Sequence, residues 1–290
     1  MKRILVPVDF SPHTGISCQY ALAIAKATGA EITLFHSFFD QLYFSDGGFN
    51  TGFESGIMLT DEIILDFHKQ KELRLKEMAD ELNSNLSRSG FSKVKVNYQM
   101  GSGDPEVQIL QAIQQLDPDL IIMGSSGMGK KRLLSGSVAR RIIDNMKIPV
   151  IAVPGMEEVP SVKNVVYMTT FNPADSDIIL NIDLILSVFH VNIFCLHLLT
   201  DESDNDAKQK IRNISENQSL KKLEGRISFH ILENHHQQET LSKFMDEFKI
   251  DLIAFIPHKR NILKNIFYQG ITKEDLFLTR IPIMAVRPIQ

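Results

Sequence analysis

The sequence predicts an α/β protein of two tandem doubly wound domains, each built on a five-stranded, mainly parallel sheet. Three observations carry this reading. Strand-length apolar runs alternate with helix-length segments along the 290-residue chain, the pattern of a parallel sheet covered on both faces. The runs ILVPV (4–8), DLIIM (119–123, after its leading aspartate) and IPVIAV (148–153) are continuously apolar, as in strands buried on both sides. The chain also repeats itself.

The repeat has three matches in one order. Residues 4–12 (ILVPVDFSP) match 165–173 (VVYMTTFNP), setting Phe10 on Phe171 and Pro12 on Pro173. Asp119-Leu120-Ile121-Ile122 matches Asp251-Leu252-Ile253-Ala254, and IPVIAVP (148–154) matches IPIMAVRP (281–288). A tandem duplication explains them, with its boundary near Gly155–Ser161, where glycine and proline interrupt the pattern. The expected domains are 1–155 and 160–290.

Each element follows from its residues. In the first half strands are expected near 2–8, 30–36, 93–99, 119–123 and 148–153, and helices near 12–28, 58–88, 104–116 and 136–146. In the second half strands are expected near 163–169, 191–198, 226–232, 250–256 and 282–287, with helices in the gaps. Ser11 and Asn172 read as helix N-caps, each followed by a proline at the first helical position. Residues 38–57, with four glycines and five phenylalanines, form a long connection, either a lid, a partner surface or a loop packed on its own domain.

Composition narrows the function. The chain is 43% hydrophobic and 23% charged, ordinary for a soluble globular protein. A net charge of −4, spread evenly over both halves, implies no general affinity for nucleic acid. The two cysteines, Cys18 and Cys195, lie in different halves, which fits neither a disulfide framework nor a zinc site and suits a reducing cytoplasm. The opening MKRILVPVDFSPH does not read as a signal peptide, and no apolar stretch is long enough to span a bilayer, so no membrane partner is expected.

The segment from Asp119 to Ala139, DLIIMGSSGMGKKRLLSGSVA, carries the chemistry. A strand ends at Gly124, a loop with Gly127 and Gly129 follows, then Lys130-Lys131-Arg132, and Gly136-Ser137 opens a helix. Glycines let backbone N–H groups approach an anion, and a helix start adds free donors and partial positive charge. Gly124 to Lys130 also fits the start of a P-loop, but Lys131 stands where Ser or Thr would hold Mg²⁺, and the loop follows the fourth strand. In such folds ligands bind beyond the carboxyl ends of the strands, and Asp9 and Gly124 both fall there.

ILVPVDFS, DLIIMG with its following glycines, and GSVARRII…IPVIAVP together resemble the universal stress protein family, over the whole chain as two copies, the first much the clearer. The resemblance implies adenine nucleotide α-hydrolase-like domains whose two copies pair like a dimer, with a homodimer as a further assembly. It implies an ATP-binding regulatory stress-response protein, with ADP or AMP as alternative ligands and Mg²⁺ as a companion ion. It would set Asp9 on the ribose hydroxyls, Val8 and Ser37 near the base, and Met123 and Gly124 under the sugar and phosphates. Gly127, Gly136, Ser137 and Val138 would offer donors to the phosphate chain, and Lys130, Lys131 and Arg132 would neutralise it or form a solvated basic turn.

One feature departs from the family pattern. Gly127 and Gly136 enclose eight residues, one fewer than the family motif Gly-x-x-Gly, nine residues, Gly-Ser/Thr. That spacing leaves open a second reading, a nucleotide-free scaffold or dimerisation protein, and a third is a slow ATPase. No general base is assigned, and no catalytic or metal-binding set is expected. In the second half Thr170 replaces Asp9, Ile256 replaces Gly124 and Lys259 replaces Gly127, so no nucleotide is expected there. The adjacent His235 and His236 do not make a metal pair, Cys18 reads as a buried thiol, and Glu72, Lys76 and Glu77 as a solvated helix face.

Overall fold

A computed structural model describes residues 1–38, 61–125, 138–154, 162–169, 171–199, 206–233, 237–257 and 281–287. The first half contains β1 (Arg3–Pro7), α1 (Pro12–Thr28), β2 (Glu31–Phe38), α2 (Asp61–Arg88), β3 (Val96–Ser102), α3 (Pro105–Leu116), β4 (Leu120–Gly124), α4 (Val138–Asn145) and β5 (Val150–Val153). The second contains β6 (Asn164–Met168), α5 (Asp175–Ile185), β7 (Asn192–Leu199), α6 (Ala207–Ser215), β8 (Ile227–Glu233), α7 (Gln237–Glu247), β9 (Leu252–Phe255) and β10 (Ile283–Ala285).

The strands form one ten-stranded sheet in the order β3-β2-β1-β4-β5-β10-β9-β6-β7-β8. Neighbours are parallel within each set of five, and β5 meets β10 antiparallel, pairing Val150 with Ala285, Ile151 with Met284 and Ala152 with Ile283. One face carries α1, α2, α5 and α6, over a core that includes Ile4, Val6, Ile24, Ile122, Val165, Tyr167 and Met284. The other carries α3, α4 and α7, over Leu5, Ile121, Ile142, Val166, Phe244 and Ile253. Both cores run across the β5–β10 joint. Successive strand residues enter opposite cores, which is why ILV and LII are apolar without alternation.

Both halves use the same local devices. Asp119 accepts hydrogen bonds from the Lys2 and Arg3 N–H groups at 2.6 and 2.9 Å, and Asp251 accepts from Lys163 and Asn164 at 2.8 and 2.9 Å. Each carboxylate ties the start of its half's first strand to the start of its fourth. Burial pushes the Asp119 pKa up, but the Lys2 and Arg3 N–H groups, the terminal ammonium and the Arg3 guanidinium outweigh it and hold the pKa below the ordinary value. Three matched positions are left-handed: Phe10 and Phe171 (φ 57 and 53), Gly29 and His190 (φ 72 and 50), and Asp117 and Lys249 (φ 43 and 48).

Three boundaries differ from expectation. β3 runs to Ser102 because Gly101 and Ser102 continue the ladder opposite Ser37 and Phe38. Ser11 precedes α1 as expected, but its side chain does not cap the helix. α5 begins at Asp175 rather than Pro173, since Asn172 and Pro173 belong to a turn in which the Asp175 N–H meets the Asn172 carbonyl at 2.9 Å.

The Gly29/His190 pair supplies a test. Nothing lies within 4 Å of a Cβ placed on Gly29, so its φ of 72° alone opposes a side chain. Gly29→Ala should lower unfolding free energy by about 1 kcal/mol and His190→Gly should raise it by a similar amount, both read from denaturant midpoints.

Candidate functional site

The chain order reverses between β1 and β4, which are parallel neighbours with Ile4 opposite Leu120. The crevice beyond their carboxyl ends is the switch point of the first half. β1 is prolonged by the buried Val8, whose N–H reaches the Phe35 carbonyl at 2.7 Å. Asp9 follows and is half-buried. Its Oδ1 accepts from the Ser11 N–H at 3.0 Å and from the Thr14 hydroxyl at 2.9 Å. Among the described residues, Oδ2 accepts nothing. Asp9 therefore closes the strand-to-helix turn with one oxygen.

Phe10, at φ 57°, turns out of the strand line. Its ring lies 4.5 Å from the His36 ring, with the Arg74 guanidinium 4.6 Å and the Lys71 ammonium 5.2 Å from its centroid. His36 Nδ1 stands 2.7 Å from the Val8 carbonyl, which only accepts, so Nδ1 carries the proton. Burial, and then the Lys71 charge, outweigh that bond and hold the His36 pKa below its ordinary value. The rim thus has a neutral imidazole and two cations, neither of which has a carboxylate partner among the described residues.

The remaining expected site residues divide. Ser37, the penultimate residue of β2, donates its hydroxyl to the Gly103 carbonyl at 3.0 Å. Met123 is buried, and Gly124, the last residue of β4, stands opposite Val153. Val138 opens α4 and is partly buried. Val8, Asp9, Ser37, Met123 and Gly124 therefore share one sheet edge. Gly127, Gly136, Ser137 and the Lys130-Lys131-Arg132 cluster lie outside the described residues, as do 39–57, Thr170, Lys259, His235 and His236. Cys18 is buried in α1, its thiol pushed up to about 12 by burial, so it is no nucleophile at neutral pH. Glu72, Lys76 and Glu77 are exposed on α2. Among the described residues, no group of three His, Cys, Asp or Glu side chains could hold a metal ion.

At the matching edge of the second half the described polar groups are paired within the protein. Asp175, 2% exposed, stands at the position of Thr14. It accepts from the Tyr167 hydroxyl at 2.8 Å, from the Asn172 N–H at 2.9 Å and from the Thr169 hydroxyl. Thr169 Oγ1 accepts in turn from the Phe171 N–H at 2.7 Å, and its carbonyl accepts from His197 Nδ1 at 2.9 Å. Phe171 is buried against His197 and Phe229 instead of facing cations. Burial pushes the Asp175 pKa above its ordinary value, although three donors pull it down.

Sequence reasoning missed Thr14, Lys71, Arg74 and the Tyr167–Thr169–Asp175 network. Thr14 and Asp175 were findable as partners at the repeat offset; Lys71 and Arg74 read only as part of a charged helix. Asp175→Ala should cost about 3–5 kcal/mol of unfolding free energy, because it leaves buried donors unpaired. The raised pKa sets a sign. Stability from Asp175 is present below the ordinary carboxylate value of about 4 and declines as pH rises through the raised one. Asp175→Asn should remove that slope from the pH dependence of thermal unfolding.

Comparison with known proteins places this geometry. The universal stress protein family model matches residues 1–154. A universal stress protein of Methanocaldococcus jannaschii is 30% identical over 155 residues, 52% of this chain and 81% of that protein. Universal stress protein A of Escherichia coli is 27% identical over 157 residues, 54% of this chain and 96% of that one. A solved universal stress protein from Archaeoglobus fulgidus shares the fold, with a TM-score of 0.69 at 19% identity over 99% of this chain and 96% of that one. Among the described residues, no helix is long and apolar enough to cross a membrane. The family match covers more than half of the chain, from β1 through β5, and the chain belongs to the universal stress protein family.

Proposed function

We propose that this chain is a tandem pair of universal-stress-type domains, 1–155 and 160–290, of which only the first binds an adenine nucleotide. ATP is the preferred ligand, with ADP and AMP as weaker alternatives and Mg²⁺ as the companion of the phosphates. One observation carries the reading. Asp9 sits at the switch point, half-buried, with Oδ1 held by Ser11 and Thr14 and Oδ2 left over. A carboxylate fixed in that way accepts from a ribose diol without first being ordered. Lys71 and Arg74 add positive potential at the rim, and Gly124, Gly127, Gly136, Ser137 and Val138 supply the phosphate side.

The output is regulatory and cytoplasmic. Nucleotide occupancy biases a shape or a partner surface, and any hydrolysis is slow because no group is placed to activate water. The paired second domain serves as a fixed frame. A nucleotide-free scaffold is the second reading, favoured by the eight-residue spacing between Gly127 and Gly136.

Calorimetric titration separates the two. The expected result is one ATP per chain, with affinity lowered at least tenfold by Asp9→Ala or Gly127→Val and unchanged by Thr170→Ala. Absence of heat and of any thermal shift at millimolar ATP would leave the scaffold reading standing, and two ATP per chain would contradict the one-site assignment.

A further inference from the structure

The amino ends of the first-half strands hold a recess, at the opposite end of the sheet from the crevice beyond Gly124. It is a cavity of about 220 Å³ beside the last residue of α3. Leu5, Thr33 and Leu116 line it, and the exposed Arg3, Glu31 and Asn97 stand at its mouth. A space of about 150 Å³ already holds a benzene ring.

The second half is an internal control, because rings stand at the same place there. Leu5 matches Val166 in the repeat, so the strand registers set Thr33 on Phe194, and Leu116 matches Phe248. The Phe194 and Phe248 rings lie 4.9 Å apart. Phe244, at the position of Ala112, packs on them at 6.4 and 4.5 Å. The mouth differs too. Asn164 and Asn192 take the places of Arg3 and Glu31. Asn164 donates to the Phe248 carbonyl at 2.8 Å and accepts from Asn192 at 3.0 Å, which ties the end of α7 to the strand ends. In the first half Arg3 pairs with Asp117 at 2.7 Å. Glu31 accepts from Asn97 and, among the described residues, has no cation within ion-pair distance.

We propose that this cavity is a ligand site for a small aromatic amine, with the ring between Thr33 and Leu116 and the ammonium on Glu31. The repeat identifies the ring, because the second half fills the matching place with phenyl groups of its own. The carboxylate at the mouth identifies the charge. An ammonium gains a charge-assisted hydrogen bond from Glu31 and faces the negative end of the α3 dipole. An anionic ring would meet Glu31, Asp117 and that same helix end, with Arg3 already paired. The site lies away from the nucleotide crevice and does not depend on the nucleotide reading.

The experiment uses the full chain, with 2-phenylethylamine, phenylacetate and benzyl alcohol as probes in ligand-observed NMR titrations. Wild type should bind the amine with a Kd of about 1 mM and phenylacetate about threefold to tenfold more weakly. Thr33→Phe and Leu116→Phe each build a second-half ring into the cavity. Both should unfold at the wild-type temperature or above, and both should bind the amine at least tenfold more weakly, on the order of full occlusion. Glu31→Gln should weaken the amine about threefold to fivefold and leave benzyl alcohol unchanged. No binding of the amine at about 10 mM overturns the proposal, and so does wild-type affinity in both ring variants. Early unfolding of both ring variants shows that the cavity admits no ring and overturns it as well. Equal affinity for amine and acid, or an amine affinity that Glu31→Gln leaves unchanged, overturns the assignment of the ammonium to Glu31.

Discussion

The antiparallel joint between β5 and β10 sets the terms for everything else. Each half ends its sheet in an apolar strand, Val150-Ile151-Ala152-Val153 in one and Ile283-Met284-Ala285 in the other. Left open, such an edge would template pairing with another chain. Two similar units that join by matching edges do so about a twofold axis, and that symmetry forces the meeting strands to run antiparallel. The joint makes one sheet and two continuous cores, and Arg287 reaches across to the Ile143 and Asp144 carbonyls at the end of α4. It also points the two carboxyl edges in opposite directions. A site at one edge borrows nothing from the other, so one can close while its counterpart stays open.

The two edges place their acid and hydroxyl differently. In the first half the acid is in the turn and the hydroxyl on the helix, Asp9 and Thr14. In the second the hydroxyl is at the strand end and the acid on the helix, Thr169 and Asp175. The pairing is preserved while its direction is reversed. Reversal buries the carboxylate, and Tyr167 and the Asn172 N–H then occupy it from within the protein.

Much of the fold was legible because it rests on periodicity and on paired segments. All ten expected strands form, three of them marked by continuous apolar runs, and the Asp119/Asp251 match marked a carboxylate that does the same work twice. Boundaries were less legible where a hydrogen bond decides them. Ser102 is in β3 because of its strand partner Phe38, and Asn172 is in a turn because its carbonyl receives the Asp175 N–H. In the site, Asp9 and Gly124 were readable as strand ends. Arg74 and Lys71 were not, because only the packing of α2 over Phe10 turns two members of a charged helix into rim groups. The backbone strain at Phe10 was hidden for the same reason, since nothing about a phenylalanine signals a left-handed residue.

The contrast between the edges follows from how buried polar groups are satisfied. A fold that keeps a ligand site must leave polar atoms without internal partners, and it tolerates their cost because the ligand completes them. A fold that has given up the ligand gains by completing them from within, through substitutions that add donors beside a carboxylate. Among the described residues the first half leaves Asp9 Oδ2 and the hydroxyls of Ser11 and Ser125 without internal partners. The second gathers Tyr167, Thr169 and Asn172 on Asp175 and completes that carboxylate from within. Because the antiparallel joint separates the edges, both arrangements coexist in one sheet.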